Sequence, residues 1–429
     1  MFIYFNLGPD VHFSKLILNN WQQFESIDID IHDRLTIVTG ANGCGKTTIL
    51  NLFSKHCGWN TASLSTPKYD KKTDKVKFST GCWNKENELL PQNTIGCLKY
   101  SNGISSDLIV SESNTAKYNV QITNQNEVKC FYIPSHRAKF QYQALGAIST
   151  TKKNKMNAFT DVASISKQLD SDHPGGGPTS SFLMKSILIG WAIHGYGVTD
   201  ISNNKTIMVS DNEQINYYKG FQETLRKLLP KSLGFKEFEI RNMEIVFICN
   251  NGNDEFLIET ASGGISAIIE IAWQIYMFAS RDNPDFTVII DEVENHLHPI
   301  MQRTILPNLL EAFPKVKFIV STHSPLVVGS VNDSFIYALT YNSDSKIKSR
   351  KLDLVNEAKS ATEILDEVLG VSFTMPIWVE DKLSEIIDEY NSKSLTSTDF
   401  TSLRNKLADI GLERMVPFAI QGIMEGQND

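Results

Sequence analysis

Apolar residues recur along the chain in two periods, and their succession lays out a strand, a loop and a helix near the start. In LILNNWQQFESIDIDI, residues 16–31, Ile27, Ile29 and Ile31 alternate with polar neighbours, the period-two pattern of a half-buried strand. RLTIVTG, residues 34–40, is a short, almost continuous apolar run, as expected of a strand buried on both faces of a parallel sheet. TTILNLFSKH, residues 47–56, places Ile49, Leu50, Leu52 and Phe53 at helical spacing. Between strand and helix lies GANGCGKTT, residues 40–48.

Periodicity fades over residues 60–215, which are polar and rich in Ser, Thr and Asn. They hold a short strand, CFYIPS from Cys130, a glycine-proline stretch, DSDHPGGGPTSS, expected to be flexible, and no heptad run. It returns with a helix, GFQETLRKLLP, and two strand-like runs, FKEFEIRNMEIVFI and DEFLIET, around the turn signal CNNGN. ASGGISAIIEIAWQIYMFAS then reads as a glycine turn opening a helix with Ile265, Ile268, Ile269 and Ala272 on one face. Two further apolar strands follow, FTVII before DEVENHLHP and KFIVS before THSP, with a helix between them. Beyond about residue 345 the chain turns polar and helical. The expectation is an α/β fold, a mixed sheet with flanking helices. A head would span 1–345, with a lobe at 1–60, a mostly irregular or helical insert at about 61–215 and a second portion at about 216–345. A helical extension would occupy 346–429.

Gly40, Gly45, Lys46 and Thr47 match G-x-x-x-x-G-K-[ST], the Walker A loop. Glycines let backbone N–H groups approach phosphate oxygens, the following helix presents its positive end, and Lys46 neutralises charge. Thr47 offers a hydroxyl to Mg²⁺. With Asn42, Gly43 and Thr48 these are the expected contacts to ATP. A structural glycine turn would leave Lys46 unexplained. Asp291 and Glu292 close an apolar strand, where a carboxylate is costly without a partner. Asp291 suits the metal, and Glu292 suits polarisation of the attacking water. Alone, such a pair is more often a strand cap, but here it stands downstream of a phosphate loop.

Ser262, Gly263 and Gly264 open a second helix 29 residues before Asp291, and a second anion site of this kind needs a second nucleotide face. ASGG resembles the signature motif of ABC-type ATPases, and THSP, with His323, resembles their switch-histidine loop. Walker A, signature, Walker B and switch histidine stand here in the ABC order. That resemblance implies two heads closing on two ATP molecules, each signature capping the nucleotide held by the other head. It makes the chain a homodimer or higher homo-oligomer when ATP-bound. NNWQQFESIDIDIHDRLTIVTGANG, PSHR at 134–137 and ENHLHP look closest to soluble OLD-, RecF- and SMC-like heads, and among these to stand-alone ATPases of bacterial antiphage defence systems such as Septu and PARIS. Partnership with a separately encoded effector, a nuclease, is what the resemblance implies. It covers about 1–60, 130–145 and 255–330. The sequence departs from the pattern at Ala261, where Leu is common, and at Gln22 and Gln23, where relatives carry a basic residue. Gln141 and Gln143 are the candidates for a Q-loop glutamine.

With 429 residues, 41% hydrophobic and 21% charged, the chain has the composition of a soluble globular protein. A net charge of −8 argues against a surface devoted to nucleic acid, while KKTDKVK (71–77), KKNK (152–155) and KIKSRK (346–351) leave local phosphate contacts open. Such lysine runs are ordinarily solvated surface. The six cysteines lack metal-ligand spacing and read as reduced thiols of a cytoplasmic protein. MFIYFNLGPD lacks the layout of a secretion signal, and FLMKSILIGWAIHGYG, interrupted by Lys185 and His194, is too short for a bilayer, so no membrane anchor is expected.

Three features invite other chemistry. His296 and His298 stand at i, i+2 without a third ligand and fit a D-loop better than a metal site. PIWVEDKLSEIIDEY echoes the first acidic motif of Toprim nucleases, yet no Asp-x-Asp follows Glu380 to complete a metal site, and Trp378, Leu383, Ile387 and Tyr390 fit a helix stripe. A built-in nuclease is therefore not expected. Trp21 or Phe24 is a candidate for stacking on adenine, though an aromatic in a strand is more often core. The competing function is a RecF-like repair ATPase acting as a DNA clamp. A transporter subunit is disfavoured by the D-loop and long insert, and an SMC-like bridge by the absent heptads.

Overall fold

The computed structural model describes residues 11–71, 74–83, 93–110, 115–169, 178–279, 285–353, 377–391, 397–409, 411–413, 416, 419–420 and 423. By internal contacts the chain divides into Met1–Ile364 and Leu365–Asp429.

In the first unit the alternating opening forms β1 (Phe13–Trp21) and β2 (Phe24–Asp30), and the apolar run forms β3 (Leu35–Gly40), buried at every position. The glycine loop leads into α1 (Lys46–Ser54), whose Ile49, Leu50, Leu52 and Phe53 all lie in the core. Next come β4 (Thr94–Tyr100), β5 (Ser105–Val110), β6 (Val120–Ile122) and β7 (Cys130–Ile133). Helices α2 (Lys155–Leu169), α3 (Ser180–Tyr196), α4 (Asn212–Leu228) and α5 (Gly263–Phe278) follow. Then come β8 (Thr287–Ile290), α6 (Pro299–Ala312), β9 (Lys317–Thr322), the short α7 (Pro325–Val328), β10 (Phe335–Tyr341) and β11 (Ile347–Leu352).

Among the described residues these eleven strands form one sheet in the order β6-β5-β4-β1-β2-β11-β10-β3-β9-β8-β7. β7, β8, β9, β3 and β10 are parallel neighbours, whereas β1, β2, β4, β5 and β6 pair antiparallel. β11 joins the halves, antiparallel to β10 and parallel to β2. Parallel strands bury both faces, which accounts for the continuous apolar runs of β3, β8 and β9. Their C-terminal ends share one edge, so the glycine loop, Asp291 and His323 emerge on the same side of the sheet.

Three readings of the sequence are corrected here. The domain boundary drawn at 345 cuts the β10–β11 hairpin: IKSRKL buries Ile347 alone, too little apolar signal to read as a strand. The span 61–215, expected to be mostly irregular or helical, contributes β4 to β7 to the sheet. Cys57 and Cys130 form a disulfide, while Cys44, Cys82, Cys97 and Cys249 are free. The stretch 170–177 and the opening residues 1–10 lie outside the described residues.

A three-stranded satellite sheet comprises Phe235–Arg241, Glu244–Cys249 and Asp254–Leu257, and its last strand ends in a helical turn at Ile258–Thr260. In the second unit, helices Ile377–Asn391 and Ser397–Asp409 share a small core of Leu383, Tyr390, Leu403, Leu407, Ala419 and Ile423. No described helix is long and apolar enough to cross a membrane.

Candidate functional site

The glycine loop is built by two backbone requirements. Gly40 has φ 147°, and a Cβ there would meet the carbonyl of Leu339 and the thiol of Cys44. Gly45 caps α1 in the left-handed region, φ 87°, against the Phe24 ring, where no side chain fits. Asn42 and Gly43 form the exposed crest of the loop. Lys46 is 6% exposed, and its ammonium donates to the carbonyls of Gly40 (2.8 Å) and Ala41 (3.0 Å). The charge therefore sits inside the loop that its backbone N–H groups encircle. The Cys44 thiol is pushed up by burial, against the pull of Lys46.

Asp291, 1% exposed, receives the Thr47 hydroxyl on Oδ2 at 2.8 Å and the Ser321 hydroxyl on Oδ1 at 2.5 Å. Ser321 closes β9, so three elements converge on one carboxylate. Thr47 Oγ1 and Asp291 Oδ2 are hard oxygen donors beside the loop lysine, a set suited to Mg²⁺ sharing its shell with phosphate and water. They fit the ion the sequence implies.

Glu292 adopts φ 46°, a left-handed backbone rare outside glycine, at the turn after β8. Its N–H donates to Ser321 Oγ at 2.8 Å, and Asn295 Nδ2 approaches its carboxylate at 3.4 Å. The turn is clamped by Arg137, whose guanidinium donates to the carbonyls of Asp291 (3.3 Å), Glu292 (3.0 Å) and Asn295 (3.1 Å). Burial lowers Arg137 to about 10, while Glu294, Asp291, Glu270 and Glu292 pull the other way, so it stays charged at neutral pH. His323 at the end of β9 is 45% exposed, and both its N–H and its Nδ1 engage Glu294, itself 4% exposed, on the neighbouring turn.

A family model described as the AAA ATPase domain matches residues 12–328, nearly three quarters of the chain. The chain belongs to that family. Septu protein PtuA of Bacillus thuringiensis is 23% identical to this AAA ATPase domain protein over 392 residues, 86% of this chain and 88% of the relative. The Retron Ec83 probable ATPase of Escherichia coli is 23% identical over 466 residues, 90% of this chain and 80% of the relative. Among solved structures, the SMC head domain from Thermotoga maritima matches with a TM-score of 0.38 and 16% identity, over 80% of this chain and 99% of that one.

The helix start Ser262–Gly264 of this AAA ATPase does not share its neighbouring cavity with the loop 40–48. Ser262 and Gly263 are exposed at the start of α5, and the Ser262 side chain makes no capping bond. Gly264 lies close to His296 O and Met301. The cavity beside them, ≈ 210 Å³, is lined by Arg137, Lys139, Gly263, Ser266 and His296 among others, and by no residue of the loop 40–48. Arg137 thus touches the signature cavity on one side and the Glu292 turn on the other.

Other candidates take structural places. His298 caps α6, its Nδ1 accepting from Ile300 N at 3.4 Å, and His296 lines the signature cavity. Gln143 accepts from Thr179 N and Oγ1 and Gln141 N bonds Ser181 Oγ, so both belong to the mooring of α3. Trp21 and Phe24, at 1% and 0% exposure, are core residues and offer no face to a base. Lys152 pairs with Asp211 and Lys153 with Asp161, while Lys155 lies 3.5 Å from the Tyr276 ring centre and is lowered to about 8 by burial. Leu383, Ile387 and Tyr390 line a helix stripe in the second unit. Sequence reasoning left Ser321, Glu294 and the role of Arg137 unassigned. The signals were there: a serine directly before THSP, a third acid in DEVE, and the arginine of PSHR.

Proposed function

We propose that the chain binds and slowly hydrolyses ATP, closes as a homodimer around two nucleotides, and uses that closure to hold or release a separately encoded effector, a nuclease, in bacterial antiphage defence. The observation that carries the reading is the convergence of Lys46, Thr47, Asp291, Glu292 and His323 on one edge of the parallel strands, beside an exposed signature helix start that its own loop leaves unused. Its similarity to a Septu protein and to a retron ATPase supports the defence setting.

In this reading the loop N–H groups and Lys46 hold the β- and γ-phosphates. Thr47 and Asp291 would hold Mg²⁺, which when bound would neutralise phosphate charge. Glu292 receives the proton of the attacking water. His323 faces the γ-phosphate with its ring fixed through Nδ1. Ser262, Gly263 and Gly264 of the second copy close the far side. The test is Glu292→Gln: ATP should then trap a dimer seen by light scattering, with hydrolysis lost and no DNA or RNA cleavage by the chain alone. A monomer with ATP in both proteins would overturn the sandwich, and metal-dependent cleavage by the isolated chain would overturn the split from its effector.

A RecF-like DNA clamp is the second reading. It is favoured by the exposed hairpin Thr66–Asp70/Lys75–Ser79, where Lys68 faces Lys77 across the strands, a like-charge pair that polyanion binding relieves. It predicts DNA-stimulated hydrolysis.

A further inference from the structure

Two cavities open beside the phosphate loop and share a wall. The smaller, ≈ 180 Å³, lies between Thr48, Asn51 and Lys55 on one face of α1 and the segment 61–64. The larger, ≈ 640 Å³, is bounded by Gln22, Gln23, Leu64, Lys68, Trp83 and Lys346. Gln22 and Leu64 line both, so the two cavities adjoin and are taken together as one trough, whose smaller part reaches Thr48 at the end of the loop. Gln23 ties it to the loop, its Nε2 donating to Gly43 O at 3.1 Å. The larger part falls within the volume range of sites for small organic ligands, about 300–1,000 Å³.

Of the two aromatic residues beside the β1–β2 turn, Trp21 lines the smaller cavity but is 1% exposed and Phe24 is 0% exposed, so neither presents an open ring face to a base. Trp83 stands at its outer end. The indole Nε1 donates to Gln22 O at 3.0 Å, and the Lys346 ammonium lies 4.6 Å from the ring centre. Lys346 also reaches Gln22 O at 3.5 Å, so ring, ammonium and turn form one assembly. A nucleobase has a π-face that stacks on an indole and ring nitrogens that accept from ammonium groups. The trough offers both in its larger part, and Thr48 lies in the wall of its smaller part.

We propose that this trough is the nucleoside subsite, that a purine base lies against the Trp83–Lys346 pair, and that Trp83 makes the site prefer a nucleotide over a bare polyphosphate. The proposal rests on the reading of residues 40–48 as the triphosphate grip. It places base recognition on a residue from the polar span after α1 rather than on the N-terminal strands.

The test is calorimetric titration of the full chain, wild type, W83A, W83F and K46A, with MgATP and with magnesium tripolyphosphate. W83A should weaken ATP about tenfold or more, the loss of one base stack, with tripolyphosphate unchanged and W83F close to wild type. K46A should weaken both ligands. If W83A shifts both ligands equally or neither, or if wild type binds ATP no better than tripolyphosphate, the subsite is overturned while the phosphate grip stands. If wild type binds neither, the grip and the subsite fall together. Should W83A fail to fold, energy transfer from tryptophan to an N-methylanthraniloyl purine nucleotide decides. Its clear reduction in W83F supports the assignment, and equal transfer in the two proteins overturns it.

Discussion

Glu294 Oε1 receives both the backbone N–H of His323, at 2.7 Å, and its ring nitrogen Nδ1, at 3.1 Å. One buried carboxylate oxygen therefore fixes both the end of β9 and the orientation of the ring. The role is positional, so Glu294→Ala should lower kcat about tenfold to a hundredfold with little change in KM. Glu294→Gln, which still accepts at Oε1, should recover part of it. Once His323→Ala is in place, Glu294→Ala should cost nothing further, which steady-state phosphate release on the double variant will test.

Arg137 fastens the catalytic turn by three carbonyls, and only a planar fork can span them. Arg137→Lys keeps the charge but not the reach. It should bind ATP within about threefold of wild type and lose about tenfold or more in kcat, because the strained backbone of Glu292 is no longer held. Paired binding and turnover measurements separate the two effects.

Lys185 is wholly buried and pairs with Glu259 at 2.6 Å and Glu244 at 2.7 Å, directly ahead of the signature residues Ala261–Gly264. Lys185→Met strands the buried carboxylate of Glu259 and should cost about 3–5 kcal/mol in urea unfolding. Adding Glu259→Gln should return a part of that loss.

His56, packed between the Phe53 carbonyl and the Tyr100 hydroxyl, is lowered by burial from 6.5 to about 4. Between those values the unfolded chain binds a proton that the folded chain refuses. Stability from this residue is intact above about pH 6.5 and declines as pH falls toward 4, by at most about 1.4 kcal/mol per pH unit. Thermal melts of wild type should drop over this interval more steeply than those of His56→Asn.

The parallel half of the fold was readable in the sequence for one reason. β3, β8 and β9 are buried on both faces, so their apolar runs are dense and end abruptly in the polar residues that carry chemistry. β11 was not readable, because IKSRKL earns its place through backbone pairing with β2 and β10 rather than through apolar burial. The same holds within the site. Lys46, Asp291 and Glu292 stand in contiguous motifs, whereas Ser321, Glu294 and Arg137 act through contacts between segments distant in sequence, which no local pattern encodes. Trp21 and Phe24 take the commoner place of strand aromatics, the core, because an aromatic at a strand end looks alike in sequence whether it faces a ligand or the core.

The position of β11 also sets an order of events during synthesis. Although β2 and β3 are joined by a connection of four residues, two strands made some 300 residues later lie between them in the sheet. A ribosome delivers the glycine loop early, yet the seam on its flank stays open until residue 352 has emerged. Until then the N-terminal hairpin has an unpaired edge at β2 and β3 has one toward β10. The newborn chain therefore carries a phosphate loop before it carries the sheet that holds it, and its window of vulnerability to edge-to-edge association closes only with the last strand of the head.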